Sequence, residues 1–429
     1  MAKHQLPSGF IEYSPDEQVK FDYILKTIQE EYEHSGFIPL ETASIQYSEV
    51  LLAKAGGEMD KEIYRFQKGS RDLSLRFDLT VPMARYIAEH HRDIAMPAKI
   101  YQIGKSWRAE KPQKGRYREL YQADIDILGN NSRLAEAEML SIIQNIFAIL
   151  DLPQITFRIS NRKILAGLLE EYKVQDQAGV LRIIDKYEKL SKEDWLKAIQ
   201  ELQITEPQIE VLYNLVSANK SNQEILDLLN SLDCKNTIFQ EGIQELQELI
   251  KYLDLFQINS YRIDLSIVRG QDYYTGTVFE SNLEGLESFG SVCSGGRYDN
   301  LVGNYIDIPI TGFGASIGVS RLFGILREED WFQEMNYTED KRGVFILSEE
   351  NLSENMQAIL ELRDEYGVSF DLYPEIVSFK KALQYANRKN YTEAIFFGSD
   401  EAKLGEVLVK NMQTGEQKIV LIEDIGVTV

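Results

Sequence analysis

A long helical stretch interrupts a region of strand-like sequence. Between about Arg162 and Asp254 the chain is rich in Leu, Ile, Glu and Lys and has few Gly or Pro residues, a composition that favours helices. Strand-like runs precede this stretch, up to about residue 130, and return from Tyr261 to Val319. We therefore expect one α+β domain built on an antiparallel sheet, with residues 162–254 as a helical insertion.

The segments around the insertion carry clear periodicities. LSLRFDLT, KIYQIGKSWRAE and RYRELYQADIDILG alternate or are β-rich, as antiparallel strands with one buried face are. Helical spacing of apolar residues predicts a helix from Ser14 to His34, ending before Gly36. The SKED sequence at Ser191 has the form of a capping box.

A second domain is predicted after the acidic and aromatic stretch REEDWFQEMNYTED. The runs GVFILSEE, VSFDLYPE and EAIFFGSDE alternate with two helical segments, which predicts a compact α/β unit with a mixed or parallel sheet. The boundary is predicted near residue 340, giving domains 1–340 and 341–429.

Composition excludes several functions. A net charge of −22 argues against a protein that coats nucleic acid, because that binding depends on many Lys and Arg contacts to phosphates. Two cysteines and four histidines give neither a disulfide framework nor a CxxC pair, so no metal site is expected. The N-terminus MAKHQLPSGFIEYSPDEQ lacks a signal-peptide core and no apolar run could span a bilayer, so we expect a cytoplasmic protein without membrane contact.

The most informative segment is SWRAEKPQKGRYRELYQADID, from Ser106 to Asp126. Two strand-like halves flank a basic loop that contains Lys111, Lys114 and Arg116. Arginine side chains suit phosphate oxygens, and a basic loop in so acidic a chain indicates an anionic ligand. A solvated hairpin with scattered charge is the alternative interpretation.

Three other segments could contribute to a site. VRGQDYYTGTVFE places Arg269 near an acid and two tyrosines, although a structural Arg–Asp pair would give the same pattern. CSGGRYDNLVG and GFGASIGVSRL supply glycines that allow close backbone approach, without the spacing of a dinucleotide-binding loop. In LRFDLTVP, Asp78 and Thr80 lie two residues apart along a predicted strand, where together they could receive an ammonium group. They could equally cap a helix that begins near Val81.

In this order, the segments resemble the histidyl-tRNA synthetase family along essentially the whole chain. WRAEKPQKGRYRELYQADIDILG resembles motif 2 of class II synthetases and GFGASIGVSRL resembles motif 3. VRGQDYYTGTVFE and GGRYD resemble the two histidine-specific motifs, which separate this family from other class II synthetases.

The resemblance implies a homodimeric ligase with a class II catalytic domain and a C-terminal anticodon-binding α/β domain. Its substrates would be ATP, accompanied by Mg²⁺, histidine and tRNA(His). Histidine would first attack the α-phosphate of ATP, giving histidyl-adenylate and pyrophosphate. The histidyl group would then pass to the 3′ end of the tRNA.

The resemblance also assigns roles to residues. Arg108 would hold the α-phosphate, Glu110 would lie close to adenine, and Arg116 and Arg321 would bind the outer phosphates. Arg269 would lie between the histidine carboxylate and the α-phosphate, so the implied catalytic arginines are Arg269, Arg108 and Arg321. The implied histidine-binding residues are Asp78, Leu79, Thr80, Gln122, Asp126, Arg269, Tyr273, Tyr274 and Tyr298. Gln113 and Lys114 would meet the tRNA acceptor end, and Lys380, Lys381 and Arg388 the anticodon region.

Within that set, specificity has a direct chemical basis. A neutral imidazole offers one N–H donor and one bare nitrogen acceptor. Asp126 can accept from the first and Tyr274 can donate to the second. Asp78, Thr80 and Gln122 would receive the ammonium group.

Two positions depart from the family pattern. Ala43 stands where a proline is usual, which affects the expected dimer interface, and Leu120 stands where an aromatic side chain is usual beside adenine. Neither change removes a charged catalytic group.

Two other functions are compatible with parts of the sequence. A histidine-sensing regulatory subunit of ATP phosphoribosyltransferase shares the catalytic fold, but usually lacks the C-terminal domain and has eroded motifs. A synthetase-like amide ligase would keep the ATP arginines without needing the basic helix FKKALQYANRKN. That helix could also be a plain solvated amphipathic face.

Overall fold

The computed structural model describes residues 5–52, 62–111, 115–217, 220–268, 273–333, 341–364, 368–399 and 405–425. The chain divides into two compact units, residues 1–335 and residues 336–429. Each unit has its own hydrophobic core.

The first unit is built on a large sheet, to which eight strands contribute within the described residues. The strands are β1 (Ile38–Pro39), β5 (Ala98–Trp107), β6 (Glu119–Leu128), β7 (Ile155–Asn161), β8 (Tyr261–Ile263), β9 (Thr277–Leu283), β10 (Cys293–Tyr298) and β11 (Gly312–Ile317). Their spatial order is β1-β5-β6-β11-β10-β9-β7-β8. All neighbours are antiparallel except the two edge pairs, β1 with β5 and β7 with β8. Strands from before and after the insertion therefore share one sheet, as the sequence predicts.

Helices α1 (Pro15–His34), α4 (Arg133–Ile149) and α11 (Val319–Glu328) supply apolar residues to the core against this sheet. Phe21 of α1 and Ile143 of α4 are fully buried. The predicted N-terminal helix is confirmed: Ser14 caps α1 in a capping box with Glu17, and Gly36 follows the helix with a φ of +82°.

A smaller antiparallel sheet lies beside the main one in the same unit. Among the residues described, it contains β2 (Ile45–Tyr47), β4 (Arg71–Leu75) and β3 (Arg65–Lys68), in that order. Helix α2 (Ser48–Leu52) packs with this sheet and also contacts α3 (Thr80–His90). The expectation that LRFDLTVP forms a strand through Asp78 is wrong, because β4 ends at Leu75 and α3 begins at Thr80.

The predicted insertion is helical. It contains α5 (Arg162–Glu171), α6 (Gln177–Ile184), α7 (Lys192–Gln200), α8 (Glu206–Val216), α9 (Asn222–Ser231) and α10 (Thr237–Leu255). Ser191 caps α7 by accepting from Asp194 N, which confirms the cap predicted there.

The second unit has a mixed sheet. Its strands in the described ranges are β12 (Arg342–Ile346), β13 (Asp371–Leu372), β14 (Glu393–Phe397), β15 (Glu406–Asn411) and β16 (Gln417–Leu421). Their order is β13-β12-β14-β15-β16, with parallel pairs around β12 and antiparallel pairs beyond β14. Helices α12 (Leu352–Asp364) and α13 (Phe379–Arg388) complete this α/β unit.

Candidate active site

A polar cavity of about 300 Å³ lies on the main sheet. Its walls come from β6, β9, β10 and β11, the start of α11, the residues that follow β5 and the turn before α3. A volume of this size is at the lower end of the range for small-molecule sites. Of the predicted site residues, the following line it: Asp78, Thr80, Arg108, Glu110, Arg116, Gln122, Tyr273, Tyr274 and Arg321.

One end of the cavity is cationic. Arg321, on α11, is fixed by donating from Nε to Gly115 O at 3.0 Å and from Nη1 to Ser291 O at 2.5 Å. Burial lowers the pKa of Arg321, and the neighbouring cations Arg116 and Arg108 lower it further. Arginines held close enough to disfavour each other's charge form a site that favours an anion.

Arg116 and Glu110 lie at the same end. Arg116 Nη1 is 3.4 Å from Glu110 Oε2, and the Arg116 side chain is 49% exposed. An ion pair this exposed is weak, so it does not prevent Arg116 from binding a phosphate.

Arg108 lines the cavity and acts electrostatically on both its carboxylates and Arg321. It follows β5 directly, and its Nε donates to Phe77 O at 3.0 Å, which fixes the direction of the guanidinium. Its charge lowers the pKa of both Asp78 and Asp124. Arg108 therefore lies within electrostatic reach of the carboxylates as well as of the other arginines.

The other end of the cavity is anionic. Asp78 is buried, and its Oδ1 accepts from Val81 N at 3.0 Å at the beginning of α3. Oδ2 of Asp78 has no hydrogen-bond partner among the described residues. Burial raises the pKa of Asp78 to about 6, although the Val81 amide and Arg108 oppose the shift. Asp78 thus caps the helix with one oxygen, and a side-chain hydrogen bond from Tyr273 also opposes the rise in its pKa.

Gln122 and Asp124 form the floor of the cavity. They lie two residues apart on β6 and therefore point to the same face of the sheet. Gln122 Nε2 donates to Ser316 Oγ at 2.9 Å, and Ser106 Oγ donates to Gln122 Oε1 at 2.5 Å. The sequence did not identify Asp124 as a residue of the cavity lining.

Asp126 and Tyr298 lie behind the cavity lining. Tyr298 donates its hydroxyl to Asp126 Oδ1 at 2.6 Å, and both side chains are buried. Burial raises the pKa of Asp126 to about 7. Gly314 is required opposite this pair, because a Cβ there would be 2.2 Å from Asp126 Oδ1. The described lining of the cavity does not include Asp126 or Tyr298.

Tyr273 and Tyr274 contribute aromatic surface. Their rings meet edge to face with centroids 5.1 Å apart, and Tyr273 also meets Tyr298 at 5.9 Å. Burial raises the pKa of Tyr274, and the carboxylates Asp126, Asp124 and Asp78 raise it further. The phenol therefore stays protonated and can donate a hydrogen bond.

The remaining predicted residues are not part of the described cavity lining. Arg269, Gln113 and Lys114 lie outside the described residues. Leu79 is fully buried, and its carbonyl accepts from Gln102 Nε2 at 2.9 Å. Leu120, at the position where an aromatic side chain was expected, lines the cavity beside Tyr121.

The basic residues predicted in the second unit lie on α13. Lys380, Lys381 and Arg388 are exposed, while Ala382 and Ala386 of the same helix are buried. Lys381 Nζ is 3.1 Å from Glu375 Oε2, so part of its charge is already balanced.

The described ranges offer neither a metal-binding cluster nor a membrane-spanning helix. They contain no group of three or more His, Cys, Asp or Glu side chains that could hold a metal ion. No helix within the same ranges is long and apolar enough to cross a membrane.

A largely antiparallel sheet that carries a cavity lined by arginines and carboxylates, followed by an α/β unit, is the architecture of a class II aminoacyl-tRNA synthetase. The sequence model of histidyl-tRNA synthetase matches residues 9–322. The chain therefore belongs to the histidyl-tRNA synthetase family.

Similar proteins agree with this assignment. A histidine–tRNA ligase from Clostridium tetani is 42% identical over 99% of this chain and 97% of its own length. The crystal structure of histidyl-tRNA synthetase from Nostoc is 31% identical, with a TM-score of 0.88 over 99% of this chain and 98% of that one. A Bacillus halodurans structure described as an ATP phosphoribosyltransferase regulatory subunit/histidyl-tRNA synthetase shares the fold, with 20% identity and a TM-score of 0.75 over 93% of this chain and 99% of that one.

Proposed function

We propose that the chain joins histidine to tRNA(His) in two steps that use ATP. The observation that carries this proposal is one cavity that Arg108, Arg116 and Arg321 line together with the carboxylates of Asp78 and Asp124. Adenylate formation requires an anion-binding region for ATP next to a region that receives an amino acid through its ammonium group. The cavity offers both within one small volume.

The arginine end would bind ATP. Arg108 is proposed to hold the α-phosphate, since its charge acts on the carboxylates of Asp78 and Asp124, and Arg116 and Arg321 are proposed to hold the outer phosphates. Phosphoryl chemistry is catalysed largely by positioning and by such fixed charges. Glu110 is proposed to lie close to adenine. Glu110 and Glu280 line the cavity and offer the oxygen ligands that suit Mg²⁺, which would neutralise phosphate charge when bound with ATP.

The carboxylate end would bind histidine. Asp78, Thr80 and Gln122 are proposed to receive the ammonium group, and Tyr274 to donate to the imidazole. Asp126, held by Tyr298, would accept from the imidazole N–H at the back of the site, with Tyr273 against the ring. Leu79 would contribute through its backbone between Asp78 and Thr80.

In the first step, a carboxylate oxygen of histidine attacks the α-phosphorus, and pyrophosphate leaves with the electron pair of the broken bond. Arg269 is proposed to balance the charge that develops there. Losing such a preorganised donor typically costs about 3 to 4 kcal/mol in the transition state. In the second step, a ribose hydroxyl of the tRNA attacks the carbonyl carbon and AMP leaves.

Contacts with the tRNA are proposed for three parts of the chain. Gln113 and Lys114 would meet the acceptor end, the insertion 162–254 would lie near the acceptor stem, and the second unit would bind the anticodon through Lys380, Lys381 and Arg388. We also propose that the protein acts as a homodimer in the cytoplasm.

Aminoacylation of transcribed tRNA tests this function. Purified protein with ATP, Mg²⁺ and labelled histidine should charge tRNA(His) and leave a transcript of another tRNA uncharged. A protein that binds histidine but forms neither adenylate nor histidyl-tRNA would support the histidine-sensing regulatory subunit instead.

A further inference from the structure

Asp124 is a buried carboxylate to which the proposed function assigns no specific contact with a substrate. Its side chain lies on the cavity floor and is 2% exposed. Oδ1 of Asp124 has no hydrogen-bond partner among the described residues. An acceptor that is buried without a donor is unfavourable unless a ligand supplies one.

A chain of hydrogen bonds leads to this carboxylate. Ser106 donates to the carbonyl oxygen of Gln122, and the amide nitrogen of Gln122 donates to Ser316. Hydrogen bonding from Ser316 stabilises the charged form of Asp124 in turn. Gln122 is thus held between Ser106 and Ser316, and Ser316 lies close enough to Asp124 to lower the pKa of that carboxyl.

The same hydrogen bonds limit the donors and acceptors that Gln122 can offer to a ligand. Its carbonyl oxygen already accepts from Ser106, and one amide hydrogen is directed to Ser316. A substrate ammonium brings three N–H donors, each of which needs an acceptor when buried. Asp78 Oδ2 and Asp124 Oδ1 are the carboxylate oxygens at this end that lack a partner among the described residues.

We propose that Asp124 is a further specificity-determining residue, whose Oδ1 accepts an N–H from the α-ammonium of histidine beside Asp78. This assignment rests on the proposed function, since it requires that the cavity bind an amino acid. The ammonium would lie between two carboxylates and next to Arg108, which holds the adjacent carboxylate and phosphate groups.

The charges around Asp124 agree with a cationic ligand. Burial raises the pKa of Asp124 well above its ordinary value, and the neighbouring Asp126 and Asp78 raise it further, whereas Ser316 and Arg108 oppose the shift. Three acids that disfavour each other's ionisation bind a cation more strongly than any of them would alone.

Calorimetric titration of two ligands tests the proposal. One ligand is histidine, and the other is imidazolepropionate, which lacks only the ammonium group. Asp124→Asn should weaken histidine binding about 10- to 100-fold, the range for a hydrogen bond to a charged group. The affinity for imidazolepropionate and for ATP should stay within about twofold of the unchanged protein.

Ser316→Ala is a second variant that keeps the carboxylate. It removes the hydroxyl that favours the charged form of Asp124, so histidine binding should weaken about 3- to 10-fold and imidazolepropionate binding should not change. This variant keeps the test informative where Asp124→Asn lowers stability.

Three outcomes contradict the proposal. Equal loss of both ligands would place Asp124 against the imidazole or in a structural role. Unchanged histidine binding in Asp124→Asn would show that Oδ1 receives no substrate hydrogen. An unchanged protein that fails to bind histidine would overturn the proposed function, and this inference with it.

Discussion

At the scale of single residues, the contact between Tyr298 and Asp126 is the clearest test of the imidazole site. Tyr298→Phe removes the donor 2.6 Å from Asp126 Oδ1 and leaves a buried acceptor unpaired. We expect the free energy of unfolding to fall by about 1 to 3 kcal/mol and the KM for histidine to rise about tenfold. Thermal unfolding and adenylate kinetics measure both.

Tyr305→Phe is the matched control for that variant. The hydroxyl of Tyr305 donates to Val50 O at 3.0 Å, and Tyr305 is not among the residues that line the described cavity. Its loss should lower stability without changing the KM for histidine. A similar KM change in both variants would contradict a specific role for Tyr298.

The raised pKa values of the buried acids predict a pH dependence. Burial raises the pKa of Asp78 to about 6 and that of Asp126 to about 7 in the free protein, and both groups are proposed to bind histidine when ionised. The KM for histidine should therefore fall as the pH rises from about 5.5 to 8.

Asp126→Asn separates the contribution of the protein from that of histidine, whose imidazole also titrates in this range. In this variant the fall in the KM for histidine near pH 7 should be lost, and the fall near pH 6 should remain. A profile identical to that of the unchanged protein would show that Asp126 does not titrate in the site.

The residues that sequence could identify are those with distinctive chemistry in distinctive segments. Arg108, Arg321 and Tyr274 stand in motifs and line one cavity. Asp124 could not be assigned from sequence, because its importance depends on an unpaired oxygen created by packing across β6 and β11. The binding roles of Asp124 and of the predicted site residues are proposals.

At the scale of elements, α5 is connected to the site by its first residue. Arg162 Nη1 donates to Tyr274 O at 2.9 Å, and Nη2 donates to Val268 O at 3.3 Å. Arg162→Ala should lower kcat/KM for histidine activation about tenfold through misplacement of Tyr274, while ATP affinity is unchanged. Arg162→Lys should rescue little, because an ammonium cannot bond two carbonyls in a fork.

Lys163→Ala is the control on the same helix. Lys163 Nζ pairs with Glu241 at 2.6 Å and with Glu245 at 2.9 Å, and it is absent from the described cavity lining. We expect a change in stability alone. Equal losses of activity in the Arg162 and Lys163 variants would point to a general effect of α5 on the fold.

Periodicity predicted most elements because their apolar faces are regular. Periodicity failed at the end of β4, where the pattern predicted a strand through Asp78. The strand ends at Leu75, and Asp78 instead caps α3. The hairpin of β15 and β16 was also not predicted. Its strands, Glu406–Asn411 and Gln417–Leu421, flank a turn in which Gly415 has a φ of +77°.

At the scale of the molecule, buried charges tie the insertion to the sheet of the first unit. Glu136 of α4 is fully buried, 2.6 Å from Arg297 of β10 and 3.1 Å from Arg133. Arg133 in turn lies 3.3 Å from Glu245 of α10. Glu136→Gln should lower the free energy of unfolding by about 3 to 5 kcal/mol, because it leaves buried arginine charge uncompensated.

Glu89→Gln is the matched control for this variant. Glu89 pairs with Arg85 at 2.7 Å but is 60% exposed, so its loss should cost less than about 1 kcal/mol. Chemical denaturation measures both variants. Equal effects would show that the buried network does not stabilise the first unit.

The proposed function depends on selection of histidine by the cavity. Exchange of labelled pyrophosphate into ATP, measured with each of the 20 protein amino acids in turn, tests it most directly. Histidine alone should support exchange, and Asp126→Asn should abolish most of it. Exchange with another amino acid at a similar rate, or no exchange with histidine, would contradict the account.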